Sequence, residues 1–164
     1  MDEIDQDIKT FEELVPHGEE SFMVLKAHLL AEHSLVRDVI SRVPSMATEI
    51  QERNSPVRSG LALILLAEAL SLRDEVEPTC SDKLWPALKT LNILRNDLAH
   101  NLYPNSDKIT NRMQEFVRIV GGEPVRSGEN LNRNFRQCAQ AIMGYLAIDR
   151  RPLTIQDTKV WGET

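Results

Sequence analysis

Apolar residues recur at three- and four-residue steps along almost the whole chain, and no stretch alternates apolar and polar positions for long enough to predict a strand. Ile4, Ile8, Phe11 and Val15 form a short stripe that stops at Pro16-His17-Gly18, a strong break. A longer stripe, Phe22, Leu25, Leu29, Val36 and Ile40, predicts a helix from Ser21 to about Val43, closed by Pro44. A weaker segment covers Met46 to Arg53. Ser55 and Pro56 then suit the cap and first position of a helix running to about Arg73, because a proline there gives up an N–H that has no intrahelical acceptor. The run from Gly60 to Ala67 is apolar on every side, which predicts burial on more than one face and makes this the expected central helix.

After a loop holding Pro78 and Cys80, Pro86 is expected to start a helix through Leu88, Leu91, Leu94, Leu98 and Leu102, ended before Pro104. Asn105 or Ser106 suits the cap of the next, with Ile109, Met113, Phe116 and Val120 inward and Gly121-Gly122 as terminator. The last long helix lies near Asn130 to Ile148, on a stripe of Leu131, Phe135, Cys138, Ile142 and Leu146. Residues from Arg151 onward carry no period. The predicted fold class is therefore all-α, an irregular helical bundle of four long helices with short flanking ones. Residues 1–150 are expected to form one domain and residues 151–164 a C-terminal tail.

Composition narrows the class. A chain of 164 residues with 41% apolar and 27% charged side chains has enough material for one core without disulfides or metal. The longest apolar run stops at Glu68, far short of the roughly 20 residues that cross a bilayer. The start Met-Asp-Glu-Ile-Asp is acidic where a secretory signal is basic and then apolar, so a cytoplasmic location is expected. Cys80 and Cys138 lack the spacing of a disulfide framework or a zinc site. A net charge of −6 disfavours nonspecific binding of nucleic acid, which rests on many cationic contacts to phosphate. Residues 1–54 hold 12 acidic and 5 basic side chains, whereas residues 105–151 hold 5 acidic and 8 basic, so a polyanion is expected to meet the C-terminal half.

One cation interrupts the pattern. At about 100° per residue, Arg95 falls in the middle of the stripe made by Leu84, Leu88, Leu91, Leu98 and Leu102. An arginine keeps its charge, so burying it calls for carboxylates, a bound phosphate or an opening to solvent. Glu68 and Glu32 lie on or beside apolar stripes of neighbouring helices and are the expected ion-pair partners, a pairing that serves either structure or a site. Asn96 and His100 are four apart and share a face of the Arg95 helix. His28 and Glu32 have a spacing usable for metal, but two ligands without a third are insufficient. His17 and His33 have no evident catalytic partner. No Gly-rich phosphate loop is present, and no metal or cofactor is expected.

The string Arg95, Asn96 and His100, late in a helix of an all-α bundle, resembles the Arg-Asn-x-x-x-His signature of the HEPN superfamily, the higher eukaryote and prokaryote nucleotide-binding domains. The wording Leu-Arg-Asn-Asp-Leu-Ala-His, preceded by a long helix reading Leu-Leu-Ala-Glu-His, is similar to the mannitol operon repressor-like branch. The likeness in helical layout spans roughly residues 20–150, and the motif itself covers six residues. Active members cut RNA without metal. The resemblance implies that His100 exchanges protons with the ribose 2′-hydroxyl and the leaving oxygen, that Arg95 stabilises charge on the phosphate, and that Asn96 orients the phosphate or the imidazole. It also implies a homodimer that brings two copies of His100 to one cleft.

The leading expectation is thus a dimeric, metal-independent endoribonuclease, a toxin or defence component that acts on RNA and answers to an antitoxin or other regulatory protein. The alternative is a non-catalytic helical regulator, like the mannitol operon repressor branch, that works by binding another protein; the acidic charge favours it. A third is an inactive nucleotide-binding module.

Overall fold

Helix α1 (Glu20–Arg42) carries small and medium apolar side chains at helical spacing, Met23, Val24, Ala27, Ala31, Leu35 and Val39, and buries all six. This computed structural model describes residues 20–52, 55–58, 60–71, 81–100, 106–125 and 130–148, without the side chains of residues 20, 51, 58, 81, 100, 106 and 148. The stripe at Ile4 to Val15, the loop with Pro78 and Cys80, Leu102, the Asn105 cap and the tail from Arg151 lie outside the described residues. Within them the elements are helical throughout: α1, a 3₁₀ turn at Pro44–Met46, α2 (Ala47–Gln51), a 3₁₀ turn at Pro56–Arg58, α3 (Gly60–Ser71), α4 (Ser81–His100), α5 (Ser106–Gly121) and α6 (Leu131–Ile148). The fold is an all-α bundle.

α1 packs against α3, α4 and α6, while α4 packs against α5, α1 and α3, so these two helices share the centre. The expectation that the Gly60–Ala67 helix is central is corrected. α3 buries Leu63, Ile64 and Ala67 but leaves Leu61 and Leu65 about half exposed, at 49% and 47%. A helix apolar all round has no unique inward face, and here one side meets α1 and α4 while the other meets solvent.

A second correction concerns α1. Phe22 and Leu29, read above as part of the inward stripe, are 56% and 57% exposed. The stripe they form with Leu25, Val36 and Ile40 is real, but its centre lies about 150° around the helix from the buried one. α1 is therefore apolar on two faces. The face with alanines won the core because small side chains let α3, α4 and α6 approach closely.

Local signals for helix ends fared better. Ser55 Oγ accepts a hydrogen bond from the Val57 N–H at 3.3 Å, as a cap should, although the turn it caps is 3₁₀ and the α-helix starts at Gly60. Asn130 Oδ1 accepts from the Arg133 N–H at 3.1 Å and opens α6. Gly122 sits at φ 81° beyond α5, where a residue with a β-carbon would be strained, and its N–H reaches the Arg118 carbonyl at 2.9 Å. Pro86 lies inside α4 and does not start it. Pro86 and Asp82, whose carbonyl it leaves without the usual helical N–H partner, are both exposed residues, and burial of Leu84 and Trp85 holds the extra turn in the core. α5 and α6 bury Ile109, Met113, Phe116, Val120, Phe135, Ile142 and Leu146, with the rings of Phe116 and Phe135 4.8 Å apart.

Candidate functional site

The last two turns of α4 present Arg95, Asn96 and Asp97, all partly buried, and end at His100. Arg95 belongs by position to the core-facing side of the helix, next to Leu84, Leu88 and Leu91 in projection. Its Nη1 donates a hydrogen bond to Asn96 Oδ1 at 3.0 Å. The structure thus joins two of the three residues singled out from the sequence. The His100 side chain lies outside the described residues.

The ion pair expected between Arg95 and Glu68 or Glu32 is not among the described contacts. Glu68 on α3 takes Lys89 of α4 instead, with Nζ 2.7 Å from Oε2. Glu32 points to His28 on its own helix, with Oε2 3.8 Å from Nδ1. The projection placed each carboxylate on a plausible side but could not show that Lys89, two turns nearer the start of α4 than Arg95, faces Glu68 first. Both carboxylates therefore have other neighbours, and the described hydrogen bond of Arg95 is donated to a neutral amide.

His28 and Asn92 were not coupled by sequence reasoning. Both are buried, and His28 Nε2 lies 3.2 Å from Asn92 Oδ1, so the ring nitrogen donates across the α1–α4 contact. Gly60, the first residue of α3, faces the same point. A β-carbon there would strike Asn92 Oδ1 and lie 3.3 Å from His28 Nε2. Burial lowers the pKa of His28 from its ordinary value; Glu32 and the Asn92 bond pull it back up more weakly, and Arg95 pushes it further down. The one sequence signal for this cluster was a histidine and a glutamate four apart on a helix. The long-range partner and the glycine contact had none.

The space beside His28, Glu32 and Gly60 is a cavity of about 10 Å³, lined otherwise by apolar side chains such as Leu35, Leu63 and Leu88. It admits at most one water and is far too small for a nucleotide. Any larger ligand of Arg95 and Asn96 must approach from outside the bundle. An open hollow of about 420 Å³ lies along the first turns of α5, among Asp107, Lys108, Asn111, Arg112 and Glu115. Its cations are matched by acids: Lys108 pairs with Asp97 of α4 at 2.6 Å, and Arg112 with Glu115 at 3.0 Å. Among the described residues no group of three His, Cys, Asp or Glu side chains gathers as a metal site would, and no helix is long and apolar enough to cross a membrane.

The fold and the Arg95–Asn96 turn define a helical protein with a cation at a helix–helix seam. Comparison with family models, with curated proteins and with solved structures produced no match to this chain.

Proposed function

We propose that the chain is a metal-independent endoribonuclease of HEPN type that works as a homodimer, with Arg95, Asn96 and His100 as its active residues. The observation that carries this reading is the state of Arg95. A permanent cation set in an apolar stripe needs a carboxylate, an anion or water, and among the described residues Glu32 and Glu68 face His28 and Lys89 while the partly buried Arg95 hydrogen-bonds to Asn96. Among the described residues no carboxylate pairs with it, which leaves its charge available to an anion, and the Asn96 bond orients the guanidinium.

In the proposed reaction neutral His100 removes the proton from a ribose 2′-hydroxyl, whose oxygen attacks the adjacent phosphorus. The bond from phosphorus to the 5′-oxygen of the next nucleotide breaks, leaving a 2′,3′-cyclic phosphate. The partner subunit's His100, protonated, gives its proton to the departing oxygen. Arg95 stabilises the extra negative charge on the pentacoordinate phosphorus, where a fixed cation is most effective. The half-exposed apolar side chains Phe22, Leu29, Leu61 and Leu65 favour association of two copies.

The test is cleavage of mixed RNA by purified protein in EDTA, with His100→Ala as control. Loss of a proton-transfer group should lower the rate by about 10² to 10⁴ with little change in melting temperature. Equal cleavage with and without His100 rejects the enzyme.

The second reading, a non-catalytic regulator that binds another protein, is favoured by the exposed Phe22 and Leu29 of α1 together with the net charge of −6. Both would suit a partner with a basic, apolar surface. A homogeneous preparation that never cuts RNA but forms a defined complex through α1 would support it.

A further inference from the structure

Three helices meet at one buried polar point: His28 from α1, Asn92 from α4 and Gly60 from α3. Asn92 stands one turn before Asn96 on α4, and Arg95 lies between them, three residues on. The only polar link described across the α1–α4 seam at this level is the 3.2 Å bond from His28 to Asn92. We propose that His28 is a positioning residue: by holding Asn92 it fixes the rotation and height of the α4 turn that presents Arg95 and Asn96. The functional weight of this clamp rests on the reading of that turn as the phosphate-contacting one.

The geometry explains why a histidine is used. Its Nε2–H reaches Asn92 Oδ1 while the rest of the ring fills apolar space near Leu35, Leu63 and Leu88. An apolar side chain would fill the space but leave the Asn92 amide buried and unpaired. Gly60 completes the clamp, since any larger residue would displace Asn92. The ring also has charged neighbours. Two charged groups face the ring, Glu32 from its own helix and Arg95 from α4, while α3 contributes Gly60, Leu63 and Ile64 and no charge. A second proton on His28 would sit on Nδ1, toward Glu32, and would set a new cation against Arg95.

The test uses the full chain with three variants: His28→Gln, which retains an N–H donor but does not titrate, His28→Leu, which fills the space without a donor, and Asn92→Ala. Two readouts are independent of catalysis. Amide hydrogen exchange over residues 93–97 should be near wild type in His28→Gln and at least tenfold faster in His28→Leu and Asn92→Ala, while exchange in α6 stays unchanged. The Arg95 Nε–H resonance should shift with pH as His28 titrates in wild type and stay flat in His28→Gln. RNA cleavage, where present, should lose kcat in the Leu and Ala variants with KM little changed, and recover in His28→Gln. Unchanged exchange at residues 93–97 in His28→Leu, or an Arg95 resonance whose titration survives in His28→Gln, overturns the clamp. Failure of wild type to cut RNA leaves both readouts decisive, so it rejects the nuclease and not the clamp. If His28→Leu does not fold, His28→Gln and Asn92→Ala still decide.

Discussion

Replacing Gly60 by alanine should destabilise this protein, against the usual direction of that change. In a helix, glycine to alanine ordinarily gains up to about 1 kcal/mol, since alanine loses less backbone entropy on folding. Gly60 opens α3 and does not adopt the left-handed conformation, so backbone strain plays no part. The obstacle is steric: the new β-carbon would occupy the position of Asn92 Oδ1 and crowd His28 Nε2 at 3.3 Å. Asn92 is buried in the middle of α4 and can escape only by giving up its bond to His28. That leaves buried polar groups unpaired at about 1–3 kcal/mol, so the net loss is about 0–2 kcal/mol after the full helical gain. For a chain of this length each kcal/mol moves the melting temperature by roughly 2–4 °C, which predicts a drop of up to about 8 °C. Thermal melts of Gly60→Ala, Asn92→Ala and the double variant form a cycle, and in the Asn92→Ala background the Gly60 change should be neutral or stabilising. A melting temperature that is raised in the single variant, or a Gly60 change of the same size in the Asn92→Ala background, would refute the close approach.

Three further outcomes are expected. His28 is held below its ordinary pKa of 6.5, so the unfolded chain binds more protons there than the folded one. Its contribution to stability is complete above that value and declines as pH falls toward the folded pKa; melts between pH 7.5 and 5 should show a decline that is smaller in His28→Gln. Phe135→Ala removes a fully buried ring packed at a tilt against Phe116 and should cost about 3–5 kcal/mol in urea unfolding, among the largest single losses in the molecule. Leu29→Lys on the outward face of α1 should change monomer stability by no more than about 0.5 kcal/mol; if two copies meet on that face, sedimentation should show the dimer weakened, and an unaltered dimer would place the interface elsewhere.

Element type and most helix ends were legible because their causes are local. Ser55, Asn130 and Gly122 mark boundaries through bonds or backbone angles within four residues, and a sequence contains all the atoms involved. α5 and α6 were also legible, since each has one strongly apolar stripe and only one way to face a core. Arg95 stood out because a cation in a leucine stripe is a local contradiction, and Asn96 through its four-residue spacing to His100.

What the tertiary structure alone decided was the choice among faces and partners. α1 has two apolar sides, and periodicity picks out the larger side chains, Phe22 and Leu29; close packing of three neighbours selected the alanine-bearing side instead. Arg95 could have met Glu32 or Glu68, but the partner of a long side chain depends on which group on the facing helix arrives first, and Lys89 reaches Glu68. The His28–Asn92 bond joins residues 64 apart, and the need for glycine at position 60 arises only once α3 has been set against both. Such facts live in the distances between helices, which a pattern along one chain does not contain.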